Sequence, residues 1–98
     1  MKWFITYYSE RVKQDVFDLP DTLLIRYTKM VKIMEESGPN LEMPYARAMG
    51  NGLFELRLKG KEGIGRVFYC VLIRDNICML HSIIKKKKKT HLREVRKK

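Results

Sequence analysis

The stretch Asn51-Gly52-Leu53-Phe54-Glu55-Leu56-Arg57-Leu58-Lys59 decides the fold. Asn-Gly is the dipeptide that a tight hairpin turn needs, because both central residues must take positive φ. Strict alternation follows it. Phe54, Leu56 and Leu58 point one way, and Glu55, Arg57 and Lys59 the other, which is the signature of a half-buried strand. Upstream, residues 39–52 read as a loop holding a short strand, roughly Tyr45 to Met49. Downstream, Gly60 to Gly65 holds three glycines without a phosphate-loop pattern and is expected to turn. Arg66 to Ile73 is apolar on both faces and so reads as a central strand. Arg74-Asp75-Asn76 is expected as a tight turn, and Ile77 to Ile84 as the last strand.

The first 38 residues have a different period. Residues 2–8 are aromatic and β-branched and suit a short strand. Ser9 is a good N-cap for a helix from Glu10, in which Val12, Val16 and Leu19 recur at helical spacing. Pro20 ends that helix, and with Asp21 opens a second. There Leu23, Tyr27, Met30, Val31 and Met34 share one face, a core stripe rather than a ligand box. Gly38-Pro39 stops it. The expected order is β-α-α-β-β-β-β, with Thr90 capping a short terminal helix that carries Leu92 and Val95, or else a basic tail. The fold class is therefore α+β: an N-terminal strand and helical hairpin packed on a small antiparallel sheet. Residues 1–98 read as one domain without internal repeats.

Charge is concentrated at one end. From Lys85 to Lys98 nine residues are Lys or Arg and one, Glu94, is acidic. That segment carries +8 of the chain's +10, which leaves +2 for the first 84 residues. A polyanion is the natural partner, since each neutralised phosphate releases a condensed counterion. Cys70 and Cys78 lie in apolar strand-like runs and read as reduced, buried small hydrophobes. There is no CxxC pair and no Cys/His set with metal-ligand spacing, so neither metal nor cofactor is expected. No apolar stretch approaches the ~20 residues of a membrane span. The N-terminus lacks the apolar region and cleavage site of a signal peptide, and the expectation is a cytoplasmic protein.

The residues with chemical potential are cations. Arg57 and Lys59 share a strand face, and Arg66 opens the next strand. An arginine there is costly to bury without an anion. It either pairs with Glu55 or Glu62, or presents a rigid guanidinium to a phosphate. Glu55 shares the face of Arg57 and is placed to orient it. Lys85 and Lys86 leave the last strand toward the same surface. His81 is either a hydrogen-bonded strand histidine or a proton donor or acceptor near the site. Tyr69 faces away from Arg66 and reads as packing. Lys87, Lys88, Lys89, His91 and Arg93 are expected to attract nucleic acid diffusely. No nucleophile–base pair and no paired carboxylates are present. A cation-only site suits RNA cleavage, because RNA carries its own nucleophile, the 2′-hydroxyl, and the protein has only to align the strand and stabilise the developing charge.

At these residues the chain resembles the RelE/ParE toxin superfamily, in its HigB-like, often phage-derived branch. The resemblance rests on Asn51-Gly52-Leu53-Phe54-Glu55-Leu56-Arg57, Arg66-Val67-Phe68-Tyr69, Leu80-His81, Lys85-Lys86, Lys89-Thr90 and Glu94-Val95. It implies a type II toxin that enters the ribosomal A site, contacts ribosomal RNA and cleaves mRNA as an endoribonuclease. It also implies a protein antitoxin with a helix-turn-helix domain. By position, Arg66 matches the family's phosphate-contacting strand arginine, Arg57 and Lys59 match basic positions of the preceding strand, and Lys85 and Lys86 match the basic pair after the last strand. His81 matches a recurrent histidine of the branch. Many relatives have Lys-Thr-Pro where this chain has Lys89-Thr90-His91, which places an additional imidazole near RNA. Two other readings compete: a ParE-like inhibitor of DNA gyrase, and a non-catalytic basic RNA- or ribosome-binding protein.

Overall fold

Ser9 takes extended backbone, and its Oγ accepts a hydrogen bond from the Val12 N–H at 3.2 Å. That cap separates strand β1 (Phe4–Tyr7) from helix α1 (Glu10–Phe17). In this computed structural model, which describes residues 2–41 and 45–86, α1 stops at Phe17, two residues before the Leu19 that its apolar spacing includes. Leu19 instead folds back through its N–H to the Val16 carbonyl and is buried outside the helix. Helix α2 (Asp21–Ser37) then runs to Gly38, whose φ of +95° only glycine adopts without strain. The ring of Trp3 lies 3.1 Å from where a Cβ at Gly38 would stand, so this glycine also lets β1 approach the helix end.

Strands β2 (Ala46–Gly50), β3 (Leu53–Gly60), β4 (Gly63–Leu72) and β5 (Asn76–Lys86) follow. The sheet order is β1-β5-β4-β3-β2. The four later strands are antiparallel to their neighbours, and β1 adds to β5 in parallel, with Ile5 opposite Ile77. The α+β architecture stands, and the sheet is mixed through this one edge strand. A parallel neighbour needs a long crossover, which the two helices and three intervening strands supply.

The Asn51-Gly52 turn has φ of 55° and 79°, the doubly positive geometry expected of it. The glycine stretch behaves differently from expectation. Only Lys61 and Glu62 turn, and β4 already begins at Gly63. Packing accounts for the glycines. A Cβ at Gly60 would run into Thr22 and lie 2.8 Å from Leu23 Cδ2, and one at Gly65 would lie 3.4 Å from Leu23 Cδ1. They let α2 sit close on the sheet, where the Thr22 hydroxyl hydrogen-bonds Glu62. The β4–β5 turn contains Ile73 at φ +54°, a conformation that costs a β-branched residue about 1–2 kcal/mol.

Both helices lie on one face of the sheet. Leu23, Tyr27 and Met34 of α2 and Val12 and Val16 of α1 pack on Leu56, Leu58, Val67, Tyr69, Ile77 and Met79. Tyr69 donates from its hydroxyl to the Pro39 carbonyl at 2.8 Å, and the Tyr7 and Tyr27 hydroxyls share a hydrogen bond of 2.7 Å. Tyr69 is thus core, as its parity with Arg66 predicts. No helix among the described residues is long and apolar enough to cross a membrane. The expected terminal helix at Thr90, Leu92 and Val95 lies outside the described residues.

Candidate functional site: an arginine cluster on the open sheet face

Directly opposed residues of an antiparallel pair share a face, so the register shows what the helix-free side presents. Three rows cross it. Arg47 stands opposite Glu55, Glu55 opposite Phe68, and Phe68 opposite His81. The next row is Arg57, Arg66 and Ile83, and the third is Lys59, Ile64 and Lys85. Of the residues singled out in the sequence, Arg57, Lys59, Arg66, His81 and Lys85 therefore come together on one surface. The backbone of Lys86 pairs with Gly63 at the end of β5. Lys87, Lys88, Lys89, His91 and Arg93 lie outside the described residues.

Two β-bulges create this arrangement. On β5, Ile77 and Met79 face the core and are fully buried. Simple alternation would send His81 and Ile83 to the same side. The register shifts between Phe68 and Tyr69, however, so that Tyr69 pairs with Met79 while Phe68 pairs with His81. Leu80 is the extra residue. Beyond it the parity inverts: Ile84 packs on the core, whereas His81, Ile83 and Lys85 reach the open face. On β2 the shift falls between Ala48 and Gly50, with Met49 extra. Counting back from the Asn51-Gly52 turn without it would set Arg47 opposite Leu56. With it, Ala46 is buried opposite Leu56 and Arg47 meets Glu55. Bulges re-aim side chains in this way, and they concentrate near sites.

Glu55 is the centre. Its side chain is only 2% exposed, and it is the one buried charged residue among the described residues. Arg47 Nε lies 3.3 Å from its Oε1, Arg57 Nε 3.9 Å from the same oxygen, and Arg66 Nη1 3.6 Å from Oε2. Of the two pairings expected for Arg66, the one with Glu55 forms. One carboxylate thus holds three guanidiniums, leaving a net +2 before Lys59 and Lys85 are counted. These are charge contacts at long range. Glu55 Oε1, Arg57 Nε and Arg66 Nε are buried without a hydrogen-bond partner among the described residues. Each such group costs about 1–3 kcal/mol. The Arg57 and Arg66 side chains are still about one-third exposed, and guanidiniums beside a net positive cluster suit an incoming oxyanion.

A shallow pocket next to the cluster is lined by Arg26, Met30, Tyr45, Arg57 and Lys59. The Arg57 N–H bonds the Tyr45 carbonyl at 2.8 Å, pinning the start of β2 there. Cys70 and Cys78 are free thiols opposite each other on β4 and β5; Cys78 is buried as expected, Cys70 only half-buried, and burial together with Cys78 nearby pushes the Cys70 thiol up. Among the described residues no group of three or more His, Cys, Asp or Glu is placed to hold a metal ion.

Arg47 escaped the sequence reading because its strand is short, lies at an edge and is bulged. Its only sequence signal is charge: a lone arginine shortly before an alternating strand whose polar face carries a glutamate.

This fold, two helices on one face of a five-stranded sheet, is shared with solved RelE toxins. The E. coli toxin RelE, solved as a mutant in the free state, superposes with a TM-score of 0.63 at 19% identity, over 97% of this chain and 93% of that one. The archaeal RelE–RelB complex from Pyrococcus horikoshii gives 0.59 at 20% identity, over 86% of this chain and 96% of that one. Residues 14–97 match the family described as phage derived protein Gp49-like (DUF891), and the chain belongs to that family. No curated protein matches it.

Proposed function

We propose that this protein is the toxin of a type II toxin–antitoxin pair, of the HigB-like kind, and that it is an endoribonuclease cleaving mRNA in the ribosomal A site. The observation that carries the proposal is the Glu55-centred cluster of Arg47, Arg57 and Arg66, whose side chains are one-third to one-half exposed on the open sheet face.

In this reading the scissile phosphate binds over Arg57 and Arg66. The exposed parts of their side chains present guanidinium donors to its oxygens, and Lys59 and Lys85 add positive charge one row away. The RNA 2′-hydroxyl gives up its proton and attacks the phosphorus in line, while the bond to the 5′-oxygen breaks. That oxygen takes up a proton and leaves as a 5′-hydroxyl, a 2′,3′-cyclic phosphate stays on the upstream strand, and the charge growing on the phosphoryl oxygens is met by donors already in position. No metal is needed for that step. His81 stands diagonally across from Arg66, where such neighbours lie about 7–8 Å apart, and is the imidazole of this face that a substrate could bring into proton exchange, directly or through a water. Lys86, which ends β5 beside Lys85, belongs with the site, and the tail cations Lys87, Lys88, Lys89, His91 and Arg93 supply attraction to mRNA and ribosomal RNA. A protein antitoxin, expected to carry a helix-turn-helix domain, neutralises the toxin. The fold's likeness to RelE, one structure of which is a complex with RelB, supports a protein partner.

Induction in bacteria tests the proposal. Growth should stop with the native chain and continue with Arg66→Ala, whose cleavage rate should fall on the order of 10²–10³. Normal toxicity from Arg66→Ala would remove this site from the mechanism.

A further inference from the structure

Beside the arginines the open face presents two rings. Phe68 and His81 come from adjacent strands and are directly opposed. Their planes differ by 16° and their centroids are 6.4 Å apart. His81 is exposed and Phe68 half-buried. Neither packs under the helices, and an exposed imidazole gains little by ornamenting a solvated sheet. A bulge, which interrupts the ladder at this row, is what brings His81 there.

We propose that Phe68 and His81 form a stacking platform for one nucleobase of a single-stranded RNA, the one adjoining the phosphate held by Arg57 and Arg66. The proposal rests on the RNA reading of that cluster and adds to it the subsite for the base. Phe68 is two residues from Arg66 on the same strand face, about 7 Å along the strand. That distance is comparable to the reach from a phosphate, across its ribose, to a base. Ile83, 45% exposed and opposite Arg66, continues the apolar floor from His81 into the arginine row. Cations that track the backbone beside aromatic faces that accept bases are the chemistry by which proteins hold single strands. Every base has a π-face, so the platform tolerates any sequence, with purines favoured by their larger area.

The test uses the full chain and short RNA oligonucleotides that are 2′-O-methylated throughout, so that binding is read without cleavage, by anisotropy at low ionic strength. An abasic position is moved along the oligonucleotide. One position should weaken binding about tenfold to a hundredfold, and its neighbours little. His81→Ala should abolish that contrast, and His81→Trp should restore it, since indole stacks but does not replace imidazole in proton transfer. Phe68→Leu, which keeps an apolar side chain of similar bulk, should reduce it. A flat abasic scan, or His81→Ala binding like the native chain, with affinity still dependent on Arg57 and Arg66, overturns the platform alone. Affinity indifferent to Arg57→Ala and Arg66→Ala overturns the RNA reading and the platform with it.

Discussion

Glu55 sits where a carboxylate looks counterproductive, in the middle of a cationic surface. Its role is geometric: it gathers Arg47, Arg57 and Arg66 within 3.3–3.9 Å without saturating their donors. Glu55→Gln keeps the shape and removes the charge. Because its partners are one-third to one-half exposed, stability should fall by about 1–3 kcal/mol rather than the ~3–5 of a fully buried pair. Three arginines released from a carboxylate still attract RNA, so affinity should hold or rise. Their misplacement should cost about 10–100-fold in turnover. Denaturant titration and single-turnover cleavage check the two halves, and a matched fall in affinity and rate would deny Glu55 a positioning role. The tyrosines carry a separate pH dependence. Burial pushes Tyr69 up to about 12 and raises Tyr27 and Tyr7 as well. A folded pKa above the unfolded value of ~10 means stability is intact below pH ~10 and lost as pH climbs through the folded value. Unfolding monitored against pH should therefore show a loss beginning above pH ~10, with tyrosinate absorbance rising in step.

Among the elements, the two bulges decide which side chains reach the site. The β5 register makes a test by substitution: Ile84→Ala should cost about 2 kcal/mol and Ile83→Ala less than about 1. Strict alternation from Met79 would give the reverse order, so thermal denaturation of the two variants separates the registers. The same bulges mark where sequence reading stops. Ser9, Gly38-Pro39 and Asn51-Gly52 act through their own backbone, and the alternation of residues 53–59 needs only the strand's period. Those features were legible. The core stripe of α2 and the outward set Arg57, Lys59 and Arg66 follow from the same local rules. Met49 and Leu80 change parity through pairing with other strands, and nothing in Met79-Leu80-His81 announces which residue is extra. Arg47 and the parallel seat of β1 depend on contacts far away in sequence, so they appear only in the folded sheet.

At the scale of the whole molecule the positive charge divides in two. Lys85 is fixed by β5 beside the arginine rows, and Lys86 ends that strand. Lys97 and Lys98 belong to the basic C-terminal sequence. Neutralising Lys85 and Lys86 should lower the cleavage rate. Neutralising Lys97 and Lys98 should chiefly weaken binding and flatten its salt dependence, by about 0.7 in slope for each phosphate left unneutralised. Equal effects of the two pairs on rate and on salt slope would erase the division. The central claim, that the cluster around Glu55 cleaves mRNA, is tested most directly by mapping the 5′ ends of cellular mRNA minutes after induction. The native chain should produce new ends within coding sequences, and Arg66→Ala should not. Arrested growth with intact mRNA, or the same ends from Arg66→Ala, would contradict it.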